Sequence, residues 1–206
     1  MSRLVVSPAY ARNAPVIQEV LEQVLPERGW VLELGSGPGQ HACRFARRFA
    51  PVRWQPTEVS ERLDAIRAWR AHEGLEEQVY EPLEVDLLEE SWGLEVAGLG
   101  REAPALIMSV NVIHIAPERA WRSMIDGASG LLEPGGLLMF YGPFRYASRE
   151  LEPSNERFDQ VLRSRGVGSG LRDAEELMAY ARGGGFELVE DRAVPANNRI
   201  IWFVKT

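Results

Sequence analysis

Residues 31–41, Val31-Leu32-Glu33-Leu34-Gly35-Ser36-Gly37-Pro38-Gly39-Gln40-His41, constrain this chain more than any other stretch. An apolar strand runs into a turn punctuated by three glycines, and the turn opens a helix. Gly35, Gly37 and Gly39 tolerate positive φ and let a ligand approach the backbone closely. The helix behind them offers unpaired N–H groups at its start. This is the layout of a nucleotide-type site. The spacing is G-x-G-x-G, not the G-x-G-x-x-G of a dinucleotide fingerprint. Glu33 stands inside the strand just before the turn. A pyrophosphate has no use for a carboxylate there, whereas a cationic ligand does. The competing reading is an ordinary strand–turn–helix corner whose glycines serve packing.

Around this turn the pattern alternates. Val16, Ile17, Val20, Leu21, Val24 and Leu25 give helical spacing over 14–25, ended by Pro26 and Gly29. Strands are predicted at 31–34, 52–57, 85–87, within 105–113 and at 137–141, and a final pair at 186–192 and 200–204. Helices are predicted over 40–49, around Leu63–Trp69, along Ala120–Ala128, near Phe158–Arg163, and after an N-cap at Asp173. Residues 91–101 are glycine-spaced and 142–172 are polar and irregular, so their structure stays open. Such alternation implies an α/β, doubly wound, Rossmann-like sheet, mostly parallel with an antiparallel C-terminal strand and helices on both faces. One domain is expected over 1–206: an N-terminal helical segment (1–28), a ligand-binding core (29–145), and a last segment with the final strands (146–206). In that fold Glu33, Glu58, Asp86 and Asn111 gather at or near strand ends on one edge. Glu58, about 20 residues past the turn, suits ribose hydroxyls. Asp86 suits an adenine amine, with Leu87 beside the ring. Each acid also suits a helix or turn cap.

Composition narrows the function classes. The net charge of −7 gives no basic stripe for nucleic acid, and no stretch approaches the roughly 20 apolar residues of a membrane span. The apolar part of the N-terminus is too short for a signal peptide. The single cysteine, Cys43, excludes an internal disulfide, makes a cytoplasmic location the default, and reads as a small core residue. No metal site is expected.

The acid–glycine turn–acid–acid order resembles the class I methyltransferase arrangement. That resemblance implies S-adenosylmethionine as cofactor, with S-adenosylhomocysteine as product, and it gives Glu33 an α-ammonium or sulfonium to face. A finer resemblance covers nearly the whole chain. Ser7-Pro8-Ala9-Tyr10-Ala11-Arg12-Asn13, Ser36–His41, Trp54-Gln55-Pro56, Asn111–Ile115, Tyr141-Gly142-Pro143-Phe144, Gly170–Asp173 and Pro195–Asn198 are similar to blocks of the methyltransferase-like twenty-six family. Two departures stand out: Glu58 replaces an expected aspartate, and Ser169-Gly170 replaces an expected tryptophan-glycine pair. The cofactor-binding candidates are Arg12, Asn13, Glu33, Gly35, Ser36, Gly37, Gly39, Gln40, Glu58, Asp86, Leu87 and Asn111. Tyr10, Arg12 and Asn13 are expected to precede the first helix, with Arg12 a partner for the methionine carboxylate or for a structural acid. Substrate-binding candidates are Tyr10, Tyr141, Arg157, Arg172, Asn197 and Asn198, the last two also suiting turn caps.

Methyl transfer needs a base only when the acceptor must lose a proton. His114, just past the central strand, is the candidate base, and its rate contribution is expected to fall below about pH 6.5. A structural histidine is the competing reading. His41 is expected to pack near the cofactor. The leading expectation is methyl transfer to a small-molecule acceptor, with no nucleic-acid or membrane partner. The alternatives are a non-catalytic binder of the same cofactor and a nicotinamide-dependent oxidoreductase. Glu33 and the missing Tyr-x-x-x-Lys pair speak against the oxidoreductase.

Overall fold

All five residues of strand β1, Trp30–Leu34, are buried. Successive strand side chains point to opposite sides, so both faces of β1 are covered. The computed structural model describes residues 4–89, 92–94, 102–166 and 168–206, and most of the glycine-spaced stretch 91–101 lies outside the described residues. The remaining elements are α1 (Tyr10–Val24), α2 (Gln40–Arg48), β2 (Arg53–Glu58), α3 (Leu63–Glu73), β3 (Leu83–Glu84), β4 (Leu106–Val110), α4 (Arg119–Leu131), β5 (Leu137–Gly142), β6 (Phe144–Arg145), α5 (Pro153–Arg163), β7 (Arg172–Asp173), α6 (Ala174–Gly183), β8 (Phe186–Val194) and β9 (Asn198–Lys205). Seven strands form one sheet in the order β3-β2-β1-β4-β5-β9-β8, and β6 pairs with β7 separately. The order reverses at β1, which marks the carboxyl end of that strand as the ligand edge of a doubly wound sheet. No helix among the described residues is long and apolar enough to cross a membrane.

The chain forms two compact units. The first holds the chain up to Asp86 together with Glu102–Met108. Its β1 and β2 pair in parallel, Trp30 opposite Arg53 and Glu33 opposite Pro56, and β2 pairs in parallel with β3. Trp54 is fully buried, with the Phe45 ring 5.9 Å away and the Phe49 ring 6.4 Å away. Ile17 and Leu21 of α1 and Ile66 of α3 are fully buried in the same unit. Cys43 is buried on α2, and burial pushes its thiol up to about 12, as expected of an inert core residue.

The second unit holds Ser109–Thr206 and the described residues that follow Asp86. β5 and β9 are antiparallel, Met139 opposite Trp202, and β9 returns along β8. The β8–β9 register shifts between Leu188 and Glu190, a bulge at Val189. Asp173 caps α6 as its sequence position predicts, accepting from Glu175 N at 2.9 Å and Glu176 N at 3.1 Å.

Three expectations change. α1 begins at Tyr10 rather than near 14, because bonds from Tyr10 N to Ser7 O and from Asn13 N to Ala9 O form a turn ahead of Pro15. The third strand is Leu83–Glu84 and not 85–87: those two residues stand in register with Thr57 and Glu58 of β2, Val79 meets Trp54 in a separate bridge, and Asp86 lies beyond the strand. α5 starts at Pro153, whose fixed φ and missing N–H suit a first helical position.

Candidate functional site

β1 delivers the chain into the turn, where Gly35, Gly37 and Gly39 take φ of +67°, +57° and +88°. The turn is stitched to β2. Ser36 N donates to Thr57 O at 2.8 Å, and Thr57 N donates to Ser36 Oγ at 3.2 Å. The Ser36 hydroxyl and the Thr57 hydroxyl both donate to Glu33 O, at 3.1 and 2.9 Å. Ser36 is therefore engaged within the turn, and Thr57 joins it unannounced by any motif. A Cβ at Gly39 would lie 2.9 Å from Ile66 Cγ2, so this glycine serves the packing of α2 on α3, whereas a Cβ at Gly37 would meet open space. Glu58 closes the turn from the end of β2. Its Oε1 accepts from Gly37 N at 3.1 Å, and its Oε2 accepts from Val59 N at 2.9 Å. Arg62 stands 3.5 Å from Oε1.

Glu33 is 1% exposed, and its Oε2 has no hydrogen-bond partner among the described residues. Burial pushes its carboxyl up to about 8, against the pull of the Ser36 hydroxyl and with a further push from the charge of Glu58. A buried carboxylate without a counter-charge is costly, so burial favours the protonated form near neutral pH. On the other flank His41 is buried, and its Nε2 also lacks a partner among the described residues. Burial first, and then Arg44, lowers the imidazole to about 4.

The N-terminal segment lies along the same helix start. Ser7 N donates to Gln40 Oε1 at 2.6 Å, and Trp69 Nε1 donates to Val5 O at 2.6 Å. Gln40 thus holds the segment by its side chain. Tyr10, Arg12 and Asn13 lie inside the first turn of α1 rather than ahead of it, with Tyr10 half-buried, Arg12 exposed and Asn13 buried. Asp86 and Leu87 are half-buried beyond β3.

A second group of polar residues is assembled within the other unit. Asn111, past β4, takes φ +60°, which asparagine tolerates better than most residues, and its N donates to Tyr141 O at 2.9 Å. Tyr141 itself is buried at the end of β5. His114 is 3% exposed, its Nδ1 has no partner among the described residues, and Phe158 meets its ring edge-on at 5.6 Å. A Cβ at Gly142 would come within 3.3 Å of His114 Nδ1 and 3.5 Å of Asn111 Oδ1. Glycine there leaves room for both side chains against the end of β5.

Arg172 braces this group. It donates to Ile113 O at 2.9 Å, Ala116 O at 2.7 Å and Gly168 O at 2.8 Å. Ser169 Oγ donates to Ile115 O at 2.8 Å, and Gly170 N donates to His114 O at 2.9 Å. Arg172 is therefore engaged with backbone, and Ser169 has a bonding role that its place in an irregular stretch hid. Asn197 takes φ +55° in the β8–β9 turn. It donates to Ser154 Oγ at 3.0 Å and accepts at its carbonyl from Asn155 Nδ2 at 3.0 Å. Asn198 donates to Pro195 O at 3.4 Å within that turn. Arg157 is exposed on α5. A cavity of about 110 Å³ is lined by Phe144, Tyr146, Leu151, Asn198 and Arg199, among others. Its wall is stiffened by Asp191, which accepts from Tyr146 Oη and from Arg199 Nε, each at 2.6 Å.

The sequence profile of a family described as "Protein of unknown function (DUF938)" matches residues 5–205. The chain belongs to this family. The fold of this chain is similar to those of solved methyltransferases. An O-methyltransferase family protein from Burkholderia thailandensis is similar at TM-score 0.77 and 19% identity, over 96% of this chain and 57% of that one. The S-adenosylmethionine-dependent methyltransferase SibL, in its apo form, is similar at TM-score 0.76 and 19% identity, over 95% and 55%. An O-methyltransferase family 2 protein from Planctomyces limnophilus, solved in complex with apigenin, is similar at TM-score 0.75 and 16% identity, over 96% and 60%. The chain spans 55–60% of the length of these proteins. The likeness shows the fold: this DUF938 chain has the Rossmann-like architecture of class I methyltransferases.

Proposed function

We propose that this chain binds S-adenosylmethionine and transfers its methyl group to a small-molecule acceptor. The observation that carries the reading is the buried carboxyl of Glu33 at the mouth of a glycine turn, whose Oε2 has no partner among the described residues, a group that asks for a cation. Glu33 receives the ammonium group, Gly35 and Gly37 allow close approach of the ligand, and Glu58 accepts from the ribose hydroxyls. Asp86 and Leu87 serve the adenine, and Asn111, Arg12 and Asn13 are the further cofactor-binding candidates. When bound, the cofactor supplies a methyl group already activated on a sulfonium. The protein's own work is then to orient the acceptor, exclude water and receive a proton, the last at His114. The finer resemblance to the methyltransferase-like twenty-six family supports the same reading, as does the apigenin complex of one neighbour for a small organic acceptor. Nucleic acid is not proposed as acceptor, given a net charge of −7, and the cell interior is the proposed location.

Calorimetric titration with S-adenosylhomocysteine tests the reading. The parent chain is expected to bind it and to ignore NAD. Glu58→Ala, folded, is expected to lose about 10- to 100-fold in affinity, the loss of charge-assisted hydrogen bonds. Unchanged affinity removes the ribose role of Glu58, and no binding by the parent removes the cofactor. Release of S-adenosylhomocysteine in an acceptor screen separates an enzyme from a protein that binds without turnover.

A further inference from the structure

The two flanks of the glycine turn are not alike. Before it, on β1, Glu33 presents an oxygen with no partner among the described residues; after it, in the first turn of α2, His41 presents a nitrogen with none among them. Each side chain is at least nine-tenths buried. We propose that His41 contacts the cofactor, its Nε2–H donating to the carboxylate of the same zwitterionic amino-acid group whose ammonium lies against Glu33. This rests on the adenosylmethionine reading and adds to it a residue expected only to pack.

The surroundings of His41 select an anion. Its charged neighbour is the cation Arg44. No acidic residue occupies the first turn of α2, and the N-cap, Gly39, has no side chain to satisfy the first N–H groups. The positive end of the helix, with its first N–H groups uncapped by a side chain, favours an anion beside His41 as well. Gln40, the other polar side chain of that turn, is already bonded to Ser7 N. The imidazole is also held in place. Phe45 stacks on it with ring centroids 5.7 Å apart, and Tyr10 lies tilted against it at 5.2 Å. A donor whose rotamer is set before binding loses little entropy when the ligand arrives. Kept neutral by burial, the ring has one N–H to give, and it costs less to hold there than an imidazolium.

The test compares two probes, S-adenosylhomocysteine and its decarboxylated form, which keeps the adenosine, thioether and amine and lacks only the carboxylate. The parent is expected to favour the first by about tenfold or more, the range of a hydrogen bond to a charged group. His41→Phe, which keeps an aromatic ring between Tyr10 and Phe45, is expected to erase that preference by weakening the first probe alone. His41→Gln, which restores an N–H, is expected to recover part of it. A His41→Phe variant that weakens both probes equally, or neither, overturns the proposal. If the parent binds neither probe, the adenosylmethionine reading falls and this assignment falls with it. If His41→Phe does not fold, the ring ¹⁵N resonances of His41 in the parent decide. They move with the carboxylate-bearing probe only, and movement with both or with neither overturns the assignment.

Discussion

Buried without a counter-charge, His114 cannot titrate as a free imidazole does. Burial, then Arg172 and Arg165, lowers it to about 4. It stays neutral across the physiological range, so the fall in rate expected below about pH 6.5 moves toward pH 4. A ring-proton NMR titration should give His114 a midpoint near 4, and a midpoint above 6 would contradict its burial. Glu33 shows how far single residues can be read from sequence. An acid before a glycine turn is legible in the sequence; that its Oε2 is buried with no partner among the described residues is a fact of packing. The same limit explains Arg172. Arginine in an irregular stretch resembles a ligand-binding group until its guanidinium is seen bonded to the carbonyls of Ile113, Ala116 and Gly168.

Elements were more legible than contacts. The helices and the longer strands follow from apolar spacing, and Asp173 announces α6. The paired segments Phe144–Arg145 and Arg172–Asp173 do not show in the sequence, because two residues carry no periodicity. The same holds for the early start of α1, where Pro15 suggests a later one. The glycine turn looks uniform in sequence and is not so in space, and substitution should separate its members. Gly39→Ala combines a φ of +88° with a clash against Ile66 and should cost roughly 2–4 kcal/mol in urea unfolding. Gly37→Ala meets open space and should cost about 1–2 kcal/mol, the conformational part alone. Equal losses would mean that α3 yields to the added methyl.

For the whole molecule, three buried groups among the described residues, Glu33, His41 and His114, shape the response of stability to pH near neutrality. Folded Glu33 keeps a proton that the unfolded chain gives up between pH 4.5 and about 8, so its contribution is lost as pH rises through that window. His41 and His114 work the other way. The unfolded chain protonates them below 6.5 and the folded chain only near 4, so their contribution is lost as pH falls between those values. Below 6.5 the two histidines outweigh the one carboxyl, and above it the carboxyl acts alone. Stability should therefore peak near about pH 6.5 and fall by about 1.4 kcal/mol per pH unit on either side, as urea unfolding at pH 5, 6.5 and 8 would reveal. A steady rise to pH 8 would mean that Glu33 is ionised in the folded chain.

The bulge at Val189 has its own consequence at this scale. β8 is an outer strand of the sheet, and Leu188 and Val189 on it are 38% and 52% exposed. Such a strand would invite a neighbouring chain to zip on. The register slips at that point, with Glu187 and Glu190 on either side, and the opposite border, β3, is only two residues long. The bulge cuts the straight run of β8 to Glu190–Val194, and β3 offers two residues, so each border gives a foreign strand only a short stretch of backbone to copy.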